Sequence, residues 1–334
     1  MSDSDDALRA AWRAAHLAPL WESPTAHKQD AGPGAPVHWP WQTLEPLALG
    51  AASINSPAAI ERRVLSLVNP HPRWAGDEAT LWNLAAAIQI LLPGERARPH
   101  RHSMNALRFI LQGEGGVTVV NGKPCAMAER DMILTPAWTW HEHVHEGTRP
   151  LIWLDVLDVP LHNVLGTASF QPGPVQDLPP QVDDAAFSAP NVVPDCPPGV
   201  TIAYSPVFHY PWSSIETALG AAPASRDGSR RVRYVNPLTG GPAMALLDAW
   251  VVELGADTRT TPFRASSSAV VSIVDGHGTS EIGAHTVAWG PRDVFTVPPG
   301  NWVSHRSHAT TCRALVVSDR EVLRRLDLLT EEWG

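Results

Sequence analysis

The feature that most constrains the fold of this chain is an internal repeat. The segment FILQGEG at 109–115 matches SIVDGHG at 272–278, and RDMILTPAWTW at 130–140 matches RDVFTVPPGNW at 292–302. The offsets between the copies are 163 and 162 residues, so the two matches occur in the same order and differ by a shift of one residue. A solenoid needs at least three repeats. Two copies in 334 residues therefore predict a duplicated domain, with about 150 residues in each copy.

Both copies have the pattern of short β-strands. Short apolar runs alternate with Gly, Pro and Asp from residue 84 onwards, and the pair Asn121-Gly122 after VTVV is typical of a tight hairpin. Strands of this length and spacing favour a barrel or a sandwich. The predicted organisation is an N-terminal helical arm at 1–83, a first β domain at 84–162, a Pro-rich linker at 163–231, and a second β domain with a terminal helix at 232–334.

Composition excludes several classes of function. The formal net charge is -9 and no basic run stands out, so nucleic acid is not an expected partner. The longest apolar stretch, LAAAIQILL at 84–92, is too short to span a bilayer. The N-terminus lacks the basic start and apolar core of a signal peptide, and the three cysteines form no CxxC pair. These features predict a soluble cytoplasmic protein with reduced thiols.

Three histidines in the first copy have the spacing of metal ligands. His100 and His102 are two residues apart, so on a β-strand their side chains point to the same face. His141 follows in a second cluster, WTWHEHVHEG. Three imidazoles on one side of an ion leave its other positions open for substrate and oxygen, which is typical of a catalytic site. An isolated histidine on a strand is more often a core or surface residue, so the prediction depends on all three.

The second copy has no histidine at these positions. The residues found there are Phe263 and Ala265 in an alignment on the downstream glycines, Thr261 and Phe263 in an alignment on Gly255, and Val303 in place of His141. We therefore expect the metal site in the first copy alone. The expected role of the second copy is packing and assembly.

The motifs around the histidines resemble those of a known family. Gly94, Gly113 and Pro136 surround them with the spacing of the two cupin motifs. The runs HRHSMNALRF, ILTPAWTWHEHVHEG and RYVNPLTGGPAM resemble the gentisate, salicylate and 1-hydroxy-2-naphthoate 1,2-dioxygenase family of bicupins. The resemblance covers nearly the whole chain, from HLAPLW at 16–21 to the terminal helix. It implies a mainly β bicupin, with two tandem double-stranded β-helix (jelly-roll) barrels and helices at both termini.

The same resemblance implies an activity. Members of the family use Fe(II) and O2 to open an aromatic ring between the carboxyl-bearing and the hydroxyl-bearing carbons of an ortho-hydroxy aromatic acid. This chain would hold one Fe(II) in its N-terminal cupin and act on gentisate, salicylate or a related, substituted acid. The family forms homo-oligomers, so a homotetramer is expected.

Residues near the histidines also fit this chemistry. Cupin motifs often place a Glu ligand after the HxH pair, but Ala106 occupies that position, which leaves three neutral imidazoles. The ion would keep its full charge, and an anionic chelating substrate would complement it. The candidate catalytic residues are His143, which shares strand parity with His141 and can donate to a substrate oxygen, and Asp155, which needs a partner in its apolar strand.

A further group of residues is expected to bind substrate. Arg108 lies in the ALRF run, and the arginine of this run binds substrate in the resembled family. A guanidinium pairs well with a carboxylate. Arg108 lies six residues after His102, which would keep both on one face of an ideal strand. The other candidates are Gln89, which matches a pocket glutamine; Arg62 and Arg63, of which either one can face inward; and Ala85, where family members often carry an aromatic residue.

Two other functions are compatible with the sequence. Three histidines and a water would also suit Zn or Mn in a cupin isomerase or hydrolase. A non-catalytic cupin that binds an aromatic acid is the third possibility. The absence of an appended DNA-binding segment weighs against a regulatory binder.

Overall fold

The computed structural model describes residues 3–19, 34–54, 62–70, 79–189, 192–195 and 203–334. Contacts divide the chain into a unit at residues 1–34 and a unit at residues 35–334. The described part of the first unit contains helix α1 (Asp3–Ala14). None of the helices in the described ranges is long and apolar enough to cross a membrane.

The N-terminal barrel consists of two antiparallel sheets. Before it come β1 (His38–Trp39), α2 (Trp41–Ile54) and β2 (Val64–Ser66). Its strands are β3 (Ala85–Leu91), β4 (Arg96–His102), β5 (Ala106–Gln112), β6 (Gly116–Val120), β7 (Lys123–Met127), β8 (Met132–Thr135), β9 (His141–His145) and β10 (Leu151–Leu157). After it come α3 (Val159–Leu165), β11 (Phe170–Pro172), β12 (His209–Tyr210) and α4 (Trp212–Ala221). The strand orders are β12-β8-β5-β10-β3-β2 and β11-β4-β9-β6-β7.

The C-terminal barrel repeats this arrangement. Its strands are β13 (Arg230–Arg233), β14 (Asp248–Leu254), β15 (Phe263–Ala265), β16 (Ala269–Asp275), β17 (Gly278–Ile282), β18 (His285–Trp289), β19 (Val294–Val297), β20 (Val303–Ser307) and β21 (Cys312–Ser318), followed by α5 (Arg320–Arg325) and β22 (Glu331–Trp333). The strand orders are β1-β19-β16-β21-β14-β13 and β18-β17-β20-β15-β22. The predicted mainly β architecture of two tandem barrels is confirmed.

Strand pairing settles the alignment of the two copies. His100 pairs with His141 between β4 and β9, and Phe263 pairs with Val303 between β15 and β20. The alignment on the downstream glycines is therefore the correct one. His102 then corresponds to Ala265.

Burial along the strands shows which face of each strand is inside. Strands β5 and β10 are buried at every residue except the last. Both of their faces are covered, because one lines the barrel interior and the other joins a core that contains Leu107 and Leu154 together with Val251 and Leu315 of the second barrel. Strand β9 instead alternates, with its histidines at the buried positions. One face of β9 therefore points into the barrel.

The segments predicted as arm and linker also supply strands. Strand β2 of the arm pairs with β3, and β11 of the Pro-rich segment pairs with β4. Two further short strands cross between the halves: β1, which precedes the N-terminal barrel, pairs with β19 of the C-terminal barrel, and β12 pairs with β8. The described parts of both segments thus extend the sheets.

The two crossing strands belong to a repeated motif that the sequence analysis missed. His38-Trp39-Pro40-Trp41 corresponds to His209-Tyr210-Pro211-Trp212. His38 pairs with Phe295 and His209 with Ile133, which are equivalent positions of the two barrels. Each barrel is therefore bordered by the segment that precedes the other one. Four residues are too few to stand out as a repeat without the contacts that they make.

One carboxylate in each barrel holds the exchanged segment. Asp131 accepts hydrogen bonds from the Trp212 backbone N–H at 2.8 Å and from His209 Nε2 at 2.8 Å. Asp293 accepts the equivalent bonds from the Trp41 backbone N–H at 2.7 Å and from His38 Nε2 at 2.9 Å. The backbone N–H groups of Trp212 and Trp41 belong to the first residues of helices α4 and α2. A negative charge stabilises the N-terminus of a helix.

We expect Asp131→Ala and Asp293→Ala each to lower the free energy of unfolding by about 3 kcal/mol, because each removes two hydrogen bonds to a charged acceptor and leaves a helix N–H without its partner. Urea unfolding followed by circular dichroism measures the effect. The control is Glu114→Ala, which removes an exposed carboxylate of the N-terminal barrel. A loss below about 0.5 kcal/mol in either aspartate variant would contradict this role.

The contribution of Asp293 should depend on pH. Burial raises the pKa of this carboxyl, but hydrogen bonds from His38 and from the Trp41 and Gly290 backbone outweigh burial, so its pKa lies below the ordinary value. A depressed carboxyl pKa stabilises the fold above the unfolded-state pKa, and that contribution is lost as pH falls through the folded-state pKa. The difference in unfolding free energy between wild type and Asp293→Asn should be full at about pH 6 and shrink below about pH 4.

Candidate metal centre and substrate pocket

Three imidazoles meet inside the N-terminal barrel. His100 and His102 come from β4 and His141 from the neighbouring β9, and each is at most 4% exposed. The ring centroid of His141 lies 4.2 Å from that of His100 and 4.8 Å from that of His102. One ligand atom from each of the three lies within 4.8 Å of the other two. The predicted convergence of these residues is confirmed.

The hydrogen bonds of the three rings prepare them for a cation. In each ring Nδ1 lies 2.9–3.0 Å from a backbone carbonyl oxygen, which can only accept. The partner carbonyls belong to Arg98, Met104 and Thr139. Each Nδ1 therefore carries the proton, and each Nε2 presents a lone pair. This donor set fits a divalent metal ion.

Burial keeps these imidazoles neutral. It lowers the pKa of His100 to about 3, with a further contribution from Arg62, and the pKa of His102 to about 4. Burial also places the pKa of His141 well below the ordinary value. Neutral imidazole is the form that binds a metal, so no proton has to be displaced near neutral pH.

A buried arginine faces the histidines from the opposite sheet. Arg108 is 3% exposed, and its Nε donates to Asp155 Oδ1 at 2.9 Å. The second carboxylate oxygen of Asp155 accepts from Trp153 Nε1 at 2.9 Å. Burial raises the pKa of Asp155, and the Arg108 guanidinium opposes that effect in part. Each oxygen of Asp155, a residue predicted as catalytic, thus accepts one hydrogen bond from a buried side chain of the site.

The strand-parity argument for Arg108 was wrong, although the residue lies at the site. Strand parity was counted from His102, but β4 ends at His102 and β5 begins at Ala106 in the other sheet. Arg108 reaches the histidines because the two sheets face one another across the barrel interior. A parity argument holds only within one strand.

His143 has the opposite tautomer from the three ligands. Its Nδ1 lies 3.1 Å from Arg108 Nη1, which can only donate, and 3.0 Å from Thr118 Oγ1. Nδ1 therefore accepts, and the proton of the neutral ring is on Nε2. Burial lowers the pKa of His143 well below the ordinary value, and Arg108 lowers it further. His143 is thus a neutral hydrogen-bond donor rather than a fourth ligand.

Strand β3 brings two predicted pocket residues to the same interior face. Asp155 pairs with Ala87 and Trp153 with Gln89, so Ala85, Ala87 and Gln89 share the face that carries Arg108. Gln89 is 2% exposed, and its amide nitrogen has no hydrogen-bond partner among the described residues. A buried amide without a partner is costly unless a ligand satisfies it.

Arg62 and Arg63 turn in different directions. Arg62 Nη1 donates to His100 Nε2 at 3.0 Å, and its guanidinium lies 5.5 Å from the centre of the Phe170 ring. Arg63 is buried, pairs with Glu95 and donates to the Ala52 carbonyl at 2.8 Å. Arg62 is therefore the arginine at the histidine cluster, and Arg63 is a structural residue.

Three further residues of the site had not been singled out. Trp153 packs under the Arg108 guanidinium at 5.3 Å, and Thr118 contacts both Arg108 and His143. Phe170 of β11 stacks on His100 with centroids 5.3 Å apart. Thr118 alternates in phase with the buried residues of β6, which is a usable sequence signal, whereas Trp153 lies in a strand that is buried at almost every residue and shows no alternation. Phe170 lies in the Pro-rich segment and gives no such signal.

We expect His141→Ala to weaken binding of Fe(II) or Zn by more than about 100-fold, since it removes one of three ligands. His143→Ala should change the affinity only a few-fold, because its Nε2 carries a proton. Metal content after dialysis against a chelator, followed by competition titration, measures both. Equal losses in the two variants would show that His143 is a ligand and that the tautomer assignment is wrong.

Comparison with known proteins agrees with this site. The Cupin domain family matches residues 87–157. The chain is 34% identical to 5-aminosalicylate 1,2-dioxygenase of Comamonas sp. over 98% of this chain and 90% of the relative. It is 36% identical to gentisate 1,2-dioxygenase of Ralstonia sp. over 85% and 81% of the two chains. The solved salicylate 1,2-dioxygenase of Pseudaminobacter salicylatoxidans superposes with a TM-score of 0.91 at 29% identity, over 100% and 98% of the two chains.

High similarity over most of the chain length, together with two barrels and a three-histidine centre in the first, leads to one assignment. The chain belongs to the bicupin family of gentisate, salicylate and aminosalicylate 1,2-dioxygenases.

Proposed function

We propose that the protein is an Fe(II)-dependent ring-cleaving dioxygenase of an ortho-hydroxy aromatic acid. The observation that carries the proposal is the convergence of three neutral imidazoles, each of which presents the lone pair of Nε2, beside a buried guanidinium. His100, His102 and His141 would hold the ion. Bound Fe(II) supplies open coordination positions at which a chelating substrate and O2 can be brought together.

Arg108 binds the substrate carboxylate in this proposal. Its Nε and Nη1 are occupied by Asp155, Thr118 and His143, and no described residue accepts a hydrogen bond from Nη2. The carboxylate of Asp155 orients the guanidinium and balances part of its charge, so the cation is held in place before substrate arrives. Asp155 is therefore a positioning residue.

His143 donates a hydrogen bond to a substrate oxygen. Because Arg108 and Thr118 occupy its Nδ1, the Nε2 proton points away from them and is available to an acceptor. A ring with a pKa well below the ordinary value does not gain a second proton near pH 7. The residue thus stabilises developing negative charge by hydrogen bonding and does not deliver a proton as an imidazolium.

Gln89 and Arg62 complete the proposed pocket. The unpartnered amide nitrogen of Gln89 can donate to a substrate oxygen on the face shared with Arg108. Arg62 donates to the lone pair of His100 that a metal ion would use, so its guanidinium lies where an anionic group of the substrate would meet the ion. Phe170 lies against both residues.

The likeness to relatives narrows the substrate class. Those relatives are named for 5-aminosalicylate, gentisate and 1-hydroxy-2-naphthoate. The small side chains of Ala85 and Ala87 leave space on the interior face of β3. We propose that a substituted salicylate or a bicyclic hydroxy acid fits this space. Homotetrameric assembly and a cytoplasmic location stay predictions from the sequence, and sedimentation of the purified protein tests the first.

The decisive experiment is anaerobic reconstitution with Fe(II), followed by O2 uptake with salicylate, gentisate, 5-aminosalicylate and 1-hydroxy-2-naphthoate. We expect stoichiometric O2 consumption with at least one acid, and none by protein loaded with Zn. Turnover by Zn- or Mn-loaded protein without O2 would identify an isomerase or hydrolase. Binding of the acids without turnover by any metal form would identify a non-catalytic binder.

We expect Arg108→Ala to raise KM about 10- to 100-fold, because a hydrogen bond to a charged group is worth about 1.5–3 kcal/mol. Asp155→Asn keeps the Arg108 guanidinium and its contacts with Thr118 and His143, so KM should rise less than about 10-fold with little change in kcat. Steady-state kinetics on the iron-loaded enzyme separates the two. Wild-type kinetics in Arg108→Ala would remove this residue from the substrate site.

Replacement of Ala85 should change substrate preference. We expect Ala85→Phe to lower kcat/KM for 1-hydroxy-2-naphthoate at least about 10-fold more than for salicylate, since overpacking a filled pocket costs about 1–3 kcal/mol. The matched control is Ala86→Val, a buried position on the opposite face of β3, where it pairs with Val156. Equal effects of Ala85→Phe on the two acids would show that this position does not limit ring size.

A further inference from the structure

The C-terminal barrel contains a partly open cavity of about 400 Å³. Its wall is mostly apolar and includes the aromatic rings of Trp250, Phe263, Trp289 and Phe295. Protein interiors are normally packed so closely that voids larger than a water molecule are few. A cavity of this volume matches a small organic ligand.

The cavity occupies the position that the metal centre has in the first barrel. Strand pairing makes Phe263, Ala265 and Val303 the equivalents of His100, His102 and His141, and all three line the cavity. The pair Arg108 and Asp155 corresponds to Val271 and Val316, which pair in the same register. Trp153 corresponds to Ala314. The three imidazoles, the ion pair and the Trp153 ring of the first interior are thus replaced by apolar side chains in the second, and these side chains surround the cavity.

One polar element is kept in both barrels. Thr118 pairs with His143, and Ser280 pairs with His305 at the equivalent place, with Ser280 Oγ 2.7 Å from His305 Nδ1. Trp289 Nε1 donates to Ser280 Oγ at 2.8 Å, so the hydroxyl is free to donate its own proton to Nδ1. His305 then carries its proton on Nε2 and lines the cavity.

The charged groups at the cavity are already neutralised. Among the described residues, each arginine that lines it contacts a carboxylate: Arg231 with Asp227, Arg233 with Asp248, Arg313 with Glu253, and Arg320 with Glu331. Burial lowers the pKa of His305 to about 4, so this ring is neutral near pH 7. An anionic ligand would have no free cation to compensate its desolvation.

We propose that the C-terminal barrel is a second ligand site, for a small uncharged ring compound that accepts a hydrogen bond from His305 Nε2. The aromatic and branched side chains supply the apolar contact, and the neutral imidazole selects a compound with a hydroxyl or carbonyl oxygen. This chemistry differs from that of the first barrel, where an anion meets a guanidinium and a metal.

The probes are 1-naphthol and naphthalene, titrated into full-length metal-loaded protein by calorimetry and tryptophan fluorescence. We expect saturable binding of both by wild type. His305→Leu should weaken 1-naphthol about 2- to 10-fold, the value of a neutral hydrogen bond, and leave naphthalene unchanged. The matched control is His143→Leu, the equivalent position of the first barrel, which should leave the binding of both compounds at this site unchanged.

A cavity-filling variant tests the location. Ala314→Trp inserts the ring that the first barrel carries at this position and should reduce binding of both probes more than 10-fold. O2 uptake with the aromatic acids should be unaffected, so failure of this proposal is distinguishable from failure of the proposed activity. If Ala314→Trp does not fold, as judged by circular dichroism, the His305→Leu comparison decides. Absence of saturable binding, unchanged binding in a folded Ala314→Trp, or sensitivity to His143→Leu in place of His305→Leu would each overturn the proposal.

Discussion

The interior of the first barrel contains positive charge, which is unfavourable there unless a partner compensates it. A guanidinium in the interior is tolerated only with a partner, and Asp155 supplies it at 2.9 Å. A divalent ion beside that guanidinium would need ligands that carry no proton at the coordinating atom. Burial keeps the three imidazoles neutral, and the backbone carbonyls hold their protons on Nδ1, so that each Nε2 presents a lone pair. The arrangement is strongly cationic once the ion is bound. An anionic chelating substrate is the species that would balance it.

The second barrel has the same strand arrangement as the first, but its interior side chains are chemically different. Strand register is preserved position by position, yet the interior of the C-terminal barrel has exchanged imidazoles and an ion pair for apolar side chains. The fold does not depend on the metal centre, because the central strands of each barrel also pack on their outer faces in the core that contains residues of both barrels. An interior can therefore change its chemistry while the barrel remains stable.

Exchange of short segments joins the two barrels. Each barrel uses one aspartate to hold a strand and a helix N-terminus that precede the other barrel. Arg292 adds a direct link, because its Nε donates to the Leu111 carbonyl of the N-terminal barrel at 2.7 Å. The second barrel thus contributes to the environment of the first without supplying a residue to the histidine cluster.

The duplication, the β architecture and the three histidines that converge in the first barrel could be predicted from the amino-acid sequence. These features are local: strand parity within β4 follows from a period of two, and the repeat is visible in letters. Family motifs then identified Arg108, Gln89 and His143 as candidates. Asp155 was found for the right reason, that a buried carboxylate needs a partner.

Several features of the site and of the second barrel could be found only from the tertiary structure. In the structure Arg62, and not Arg63, contacts the histidine cluster, and Arg108 fixes the tautomer of His143. Phe170 stacks on His100. The exchanged segments and the cavity of the second barrel are also visible only in the structure. Each of these depends on contacts between strands that are distant in sequence and lie in different sheets. No periodicity within a single strand carries that information, because the side chains that meet across a barrel interior are set by how the sheets close on one another.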